Sequence, residues 1–163
     1  MTIAELSACD RVRFVAALGW IFEDSPWVAE RTWKQRPFSS VMQLHAAMTE
    51  VVASASRDEQ LALLRAHPDL GTRARMSDAS TGEQAGAGLD RLTGAELERL
   101  QRLNAAYREK FGYPFLFAVK ESTTQQILAA LEERLPRNPD DEFAEALRQV
   151  YRIARFRLEA SVS

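Results

Sequence analysis

The sequence predicts an all-α protein that forms a single compact domain of about seven to nine helices. Two observations support this fold class. Apolar residues recur at spacings of three and four along most of the chain, and residues that favour helix starts precede many of these stretches. The length of 163 residues is typical of one domain, so we expect residues 1–163 to form one. No strong alternating run of β-branched residues indicates a sheet, and the apolar residues 115–119 are interpreted as a buried connector or a helix turn.

The first half of the chain contains four predicted helices. The first runs from about residue 7 to residue 22. Its broad apolar stripe consists of Cys9, Val12, Phe14, Ala16, Leu18 and Ile21. Ser25-Pro26 offers an N-cap followed by proline at the first helical position of the next helix. Residues 41–53 form the third, and Ser56 and Glu59 have capping-box spacing at the start of the fourth.

Three further helices are predicted in the second half. Thr93 and Glu96 have capping-box spacing at the start of a long helix that Gly112 is expected to end. Residues 124–135 form the next, and Asn138-Pro139 opens the last by the same signature as Ser25-Pro26. The apolar face of this last helix consists of Phe143, Leu147, Val150, Tyr151, Ala154 and Leu158.

The region from Gly71 to Gly88 breaks the helical pattern, because it contains four of the seven glycines of the chain. Such a segment is either a mobile surface loop or a binding loop whose backbone approaches a ligand closely. The residues alone leave both interpretations open.

The composition excludes several functional classes. A net charge of −2 gives no support for nucleic-acid binding, and no apolar run reaches the roughly 20 residues that span a bilayer. Cys9 is the single cysteine, and the two histidines, His45 and His67, form no ligand pair, so we expect no metal. The N-terminus lacks the layout of a secretory signal, and the C-terminus lacks a peroxisomal ending. These features predict a soluble protein of the cytoplasm.

The most informative stretch is His67-Pro68-Asp69-Leu70-Gly71, at the end of the fourth predicted helix. Pro68 disfavours the helical conformation for His67, and Gly71 permits a turn that most residues resist. The imidazole therefore lies at a rigid corner, and histidine is the side chain best suited to move a proton near neutral pH. The alternative is a histidine that only packs against the helix end or caps it.

A series of motifs extends this stretch along the chain. The motifs are His67-Pro68-Asp69-Leu70-Gly71, Ser80-x-x-Glu83-Gln84, Ala85-Gly86-x-Gly88-Leu89 and Leu103-Asn104-x-x-Tyr107-x-x-Lys110-Phe111-Gly112-Tyr113-Pro114-Phe115. In this order and spacing they resemble 2-oxo-4-hydroxy-4-carboxy-5-ureidoimidazoline (OHCU) decarboxylases, which complete the oxidation of urate to allantoin. The resemblance covers nearly the whole chain. It implies an all-helical fold, decarboxylation to (S)-allantoin without cofactor or metal, and a homodimer.

The same resemblance assigns roles to individual residues. It implies that His67 is the catalytic imidazole, assisted by Glu83. The residues expected to contact the substrate are Pro68, Ser80, Gln84, Phe115, the backbone near Val119, and an arginine of the last helix. Ser80 and Glu83 also have capping-box spacing, so an alternative is that both only cap a helix. Relatives often have glycine where this chain has Glu121, so the loop on that side of the pocket is expected to differ.

The arginine is chosen partly from helix geometry. At about 100° per residue, Arg157 lies roughly 60–70° from the centre of the apolar face, and Arg155 lies about 90° away on the other side. Arg157 therefore points closest to the buried side, and the family pattern also favours it. We expect Arg157 to bind the substrate and keep Arg155 as the alternative. Arg148 and Arg152 are assigned to a solvated or ion-paired face.

Three other functions remain compatible with the sequence. The first is a helical interaction module, in which Trp20, Trp27 and Trp33 contribute to a partner interface and His67 is structural. The second is a ureide-binding protein without catalysis. The third is an enzyme for a related ureide, with the same site and a different preferred substrate.

Overall fold

The computed structural model describes residues 1–71 and 77–163, and within these ranges it contains nine α-helices and no strand. The helices are α1 (Ile3–Ala8), α2 (Arg11–Leu18), α3 (Trp27–Thr32), α4 (Val41–Ala53), α5 (Arg57–Ala66), α6 (Asp78–Gly86), α7 (Gly94–Phe111), α8 (Thr124–Arg134) and α9 (Pro139–Ser161), with a 3₁₀ turn at Trp33–Gln35. The all-α class is confirmed. In the described part of the chain no helix is both long and apolar enough to cross a bilayer.

The chain packs as two compact units. The first contains Met1–Ala66 together with Tyr151–Ser163, and the second contains His67–Val150. Helix α9 contributes its N-terminal half to the second unit and its C-terminal half to the first. That residues 1–163 act as one domain stays a prediction.

The N-terminal region of the first unit differs from the single helix expected over residues 7–22. It contains two helices, because Asp10 begins a new one: its side chain accepts a hydrogen bond from the Arg13 N–H at 2.8 Å. Phe14 and Leu18 of α2 are buried as expected. Val12 is 78% exposed, so its assignment to the apolar stripe was wrong.

The helix starts of α3, α4 and α5 test three further expectations. The Ser25 hydroxyl donates to the carbonyl of Glu23 at 2.8 Å and does not cap α3, which begins at Trp27. Helix α4 has the predicted bounds. Ser56 and Glu59 form the expected reciprocal hydrogen bonds at the start of α5, with the Glu59 N–H donating to the Ser56 hydroxyl at 3.1 Å.

The second unit confirms the predicted caps and corrects the glycine-rich region. Thr93 and Glu96 form a capping box, and Gly112 ends α7 with a left-handed φ of 82°. Residues 78–86 form helix α6, where the sequence predicted a loop. Residues 72–76 of that predicted loop lie outside the described residues. Gly82 and Gly86 lie on the exposed side of α6 with open space beside them, so no close contact requires glycine at either position.

An aromatic cluster forms the centre of the second unit. The ring of Tyr107 lies 4.5 Å from that of Phe111, 6.0 Å from Tyr113 and 5.4 Å from Phe115, measured between centroids. Residues 114–119 follow in a conformation that is neither helix nor strand, and most of their side chains are buried. The interpretation of residues 115–119 as a buried connector is confirmed.

Candidate active site

His67 lies at the corner that the sequence predicted. Helix α5 ends at Ala66, and His67 occupies a bend directly after it, with only 6% of its surface exposed. Gly71 has a φ of 71°, and an added Cβ there would lie 2.6 Å from a methyl carbon of Leu100. The backbone angle therefore favours glycine at this position, and a side chain there would also displace the end of Leu100.

Three side chains of the second unit fix the segment from His67 to Gly71. The Gly71 N–H donates to Oε1 of Gln84 at 2.9 Å, and the amide of Asn104 donates to the carbonyl of Leu70 at 2.9 Å. At the surface, Arg108 pairs with Asp69 at 3.2 Å. Asn104 belongs to the family motif, but the sequence assigned it no role. Its buried hydrogen bond shows that it holds the segment from His67 to Gly71.

Helix α6 carries the three polar residues that the sequence singled out. Ser80, Glu83 and Gln84 have the i, i+3, i+4 spacing that places side chains on one helix face. Ser80 and Gln84 are buried, and Glu83 is half-buried. The capping-box interpretation of Ser80 and Glu83 was wrong, because Ser77 caps α6 and accepts from the Ser80 N–H at 3.1 Å. Gln84 connects this face to the His67 segment through Gly71.

The connector with Phe115 and Val119 is buried in the same unit and is held by charged and polar side chains. The carbonyl of Leu116 accepts from Nη1 of Arg134 at 2.5 Å, and the guanidinium lies 4.5 Å from the centroid of the Phe115 ring. The turn after Val119 places Glu121 at a φ of 65°. Glu121 therefore adopts the backbone region that glycine favours, so a glycine would fit this turn without a change of backbone.

A buried ion pair supports Arg134. Oε1 of Glu142 accepts from Nε of Arg134 at 2.7 Å and from the hydroxyl of Tyr107 at 2.5 Å. Burial, and then the hydrogen bond to Glu142, raise the pKa of Tyr107 far above its ordinary value, so the phenol stays protonated as the donor. Sequence reasoning did not connect Tyr107, Arg134 and Glu142, because they come from three different helices.

The choice between Arg157 and Arg155 is tested by burial in the first unit. The Arg157 side chain is 3% exposed, whereas that of Arg155 is 59% exposed and pairs with Glu159. Nη2 of Arg157 lies 2.8 Å from Oε2 of Glu23, which is itself buried. Arg157 is therefore the inward-pointing arginine, as the helix geometry predicted. Its contact with the substrate stays a prediction. Sequence reasoning did not identify Glu23 as the partner of Arg157.

The second histidine differs from His67 in its burial and in its position within a helix. His45 is half-buried in α4, and its Nε2 lies 2.7 Å from the carbonyl oxygen of Tyr151. His45 is thus a packed, partly exposed residue. Among the described residues, no three His, Cys, Asp or Glu side chains lie together in a way that would hold a metal ion.

Comparisons with known proteins place this arrangement in a family. Residues 7–159 match the family model described as OHCU decarboxylase. The 2-oxo-4-hydroxy-4-carboxy-5-ureidoimidazoline decarboxylase of Halalkalicoccus jeotgali is 50% identical over 98% of this chain and 90% of its own length. The protein of the same name from Haloferax volcanii is 51% identical over 97% of this chain and 94% of its own length.

A solved structure agrees with these relatives. The crystal structure of (S)-allantoin synthase matches with a TM-score of 0.82 and 37% identity over 99% of this chain. This chain spans about half of that one, since the match covers 54% of its length. The family match, the two relatives and the fold all agree, and the chain therefore belongs to the OHCU decarboxylase family.

Proposed function

We propose that this protein is a carboxy-lyase that converts OHCU to (S)-allantoin in urate degradation, with His67 and Glu83 as its catalytic residues. One observation carries the assignment of the site. The buried His67 corner is hydrogen-bonded through Gly71 to Gln84, on the helix face that also holds Ser80 and Glu83. Family membership and the names of the relatives support the reaction.

The chemistry of the substrate explains why a cofactor-free site suffices. As its name states, the substrate carries hydroxyl and carboxylate groups on one ring carbon and the ureido group on the neighbouring carbon, which is double-bonded to a ring nitrogen. When the bond to the carboxylate breaks, carbon dioxide leaves and the electron pair moves toward this C=N bond, whose nitrogen takes up a proton. The hydroxyl then loses its proton and becomes a carbonyl, while a proton joins the ureido-bearing carbon. The protein must orient the carboxylate, stabilise the developing negative charge and deliver the proton to one face.

The polar residues divide these tasks. Arg157 and Gln84 bind carbonyl or carboxylate oxygens, because guanidinium and amide N–H groups are donors. Ser80 and Glu83 hold ring or ureido N–H groups, for which hydroxyl and carboxylate oxygens are acceptors. His67 moves the proton, either from the hydroxyl or to the ureido-bearing carbon, a role typically worth about 10²–10⁴-fold in rate.

The apolar residues confine the ring. Phe115 and Pro68 supply apolar surface beside it, and the backbone near Val119 contacts its polar edge. These roles follow from the family resemblance, and the burial of Phe115 and Val119 in the second unit is compatible with a shielded site.

The assembly proposed for the protein is a homodimer in the cytoplasm, without nucleic-acid or membrane partners. The family resemblance supports the dimer, and the net charge of −2 supports the absence of a nucleic-acid partner.

We expect sedimentation equilibrium to give twice the mass of one chain. A mass equal to one chain at micromolar concentration would contradict the dimer.

The reaction itself is tested by the circular dichroism of the allantoin formed from freshly generated OHCU. The substrate decays unaided to racemic product, so only an enzyme gives a rapidly rising signal of one hand. We expect that signal with the wild-type protein and not with buffer or an unrelated protein. A rate and a signal equal to those of buffer would overturn the proposal and favour the interaction module or the ureide-binding protein.

A further inference from the structure

Most of the connector formed by residues 114–119 is buried, so its backbone N–H and C=O groups need hydrogen-bond partners within the protein. It is neither helix nor strand, and Phe115, Leu116, Ala118 and Val119 are all buried. Backbone N–H and C=O groups away from water need partners, and a regular sheet would supply them from a neighbouring strand. Side chains of α8 and α9 supply them here.

Two of these side chains bind successive parts of the connector. Nη1 of Arg134, from α8, donates to the carbonyl of Leu116, and Oε1 of Gln149, from α9, accepts from the N–H of Ala118 at 3.0 Å. Arg134 and Gln149 are both about 5% exposed. The peptide planes on either side of Phe117 are therefore fixed by residues distant in sequence.

The direction of the Gln149 amide is set by its own helix. Its Nε2 donates to Oε1 of Glu145 at 3.0 Å, and the other carboxylate oxygen of Glu145 accepts from Arg148 at 2.7 Å. A carboxylate only accepts hydrogen bonds, so the amide nitrogen of Gln149 must face Glu145. Its oxygen must then face the N–H of Ala118.

We infer that Gln149 is a positioning residue for the decarboxylation: it fixes the Ala118 peptide so that the backbone at Val119 meets the substrate ring. This inference rests on the proposed function, in which Val119 contacts the ring. Gln149 acts one residue before that contact, and small displacements of positioning groups in a site have large effects on binding and rate. Arg134 has a different main role, because its buried charge is part of the ion pair with Glu142.

The test is the substitution Gln149→Met, which keeps the length and volume of the side chain and removes the acceptor. We expect KM to rise about tenfold, which corresponds to about 1.4 kcal/mol of binding free energy. We expect kcat to stay within about threefold, because the proton-transfer groups are unchanged. The matched control is Gln101→Met on the exposed face of α7, for which both constants should equal those of wild type.

A double variant separates positioning from a merely structural role. In Glu145→Gln/Gln149→Glu the carboxylate at position 149 accepts from Ala118, and the amide at position 145 donates to that carboxylate. The hydrogen-bond pattern is thus restored with the groups exchanged, and we expect KM to return to within about threefold of wild type.

The outcomes distinguish this inference from the reaction on which it rests. If wild type forms no optically active allantoin, the proposed function fails, and the role of Gln149 fails with it. If wild type is active and the folded Gln149→Met has a wild-type KM with only a lower melting temperature, Gln149 is structural and the inference alone is overturned. A double variant that folds and keeps the raised KM also overturns it.

Discussion

Replacing His67 by asparagine is expected to lower kcat by about 10²–10⁴-fold, the range that a positioned general acid or base contributes. Asparagine keeps a polar side chain of similar reach but cannot exchange a proton near neutral pH. The bend after α5 depends on Pro68 and Gly71, so we expect the fold to survive. The initial slope of the single-handed circular dichroism signal measures kcat at saturating substrate.

The chain provides a matched control in its other histidine. His45→Asn makes the same chemical change at a half-buried position, where the imidazole contacts the Tyr151 carbonyl. We expect its kcat to stay within about threefold of wild type, because His45 has no assigned role in proton transfer. A folded His67→Asn with wild-type kcat would remove His67 from the mechanism. Equal losses in both variants would indicate a general effect on stability.

The sequence predicted those features that depend on residues close together in the chain. The capping boxes at Ser56–Glu59 and Thr93–Glu96 and the left-handed Gly112 each involve contacts within a few residues. The corner at His67 belongs to the same group, because Pro68 and Gly71 act on the adjacent backbone. For such features the residue types already determine the geometry.

Two local predictions failed for identifiable reasons. Asp10 lies inside an apolar stripe, so the stripe suggested one continuous helix. In the structure, Asp10 instead caps a second helix, α2. The glycines of α6 lower its helix propensity, and propensity is overridden where one face of a helix is buried. The burial of Ser80 and Gln84 shows which face that is, and the sequence alone could not identify it.

Several contacts of the buried polar residues are long-range and were invisible to sequence reasoning. Glu23 and Arg157 are separated by 134 positions, and Gln149 and Ala118 by 31. Helix geometry correctly turned Arg157 inward, but it could not name the carboxylate that the arginine meets. The family resemblance likewise named Phe115 and Val119 without the side chains that hold the neighbouring Leu116 carbonyl and Ala118 N–H. Local signals thus predicted the corner at which His67 lies, and tertiary packing determines what supports it.

The second large effect is expected on stability. Replacing Glu142 by alanine should lower the free energy of unfolding by about 3–5 kcal/mol, the usual cost of removing one partner of a buried ion pair. The carboxylate of Glu142 is fully buried, and it accepts hydrogen bonds from both Arg134 and Tyr107. Its loss leaves a buried positive charge and a buried phenol without their acceptor. The midpoint and slope of urea denaturation measure the change.

The control is another glutamate paired with an arginine in the same unit. Glu132 of α8 pairs with Arg99 of α7, and both side chains are well exposed. Water solvates these charges when the partner is removed, so Glu132→Ala should change the free energy of unfolding by less than about 1 kcal/mol. The comparison holds the chemical change constant and varies only the burial. Equal small losses in both variants would show that the Glu142 cluster does not stabilise the fold.

The cost of Glu142→Ala should also extend to the connector of residues 114–119. Arg134 donates to the Leu116 carbonyl while its Nε is held by Glu142. An arginine released from that carboxylate no longer has a fixed direction, so the backbone near Phe115 loses a buried partner. We therefore expect the folded fraction of Glu142→Ala to have a raised KM as well as a lower stability. The control Glu132→Ala should leave KM unchanged, because no contact of Glu132 reaches the connector among the described residues. A wild-type KM in Glu142→Ala would mean that Arg134 holds the connector without Glu142.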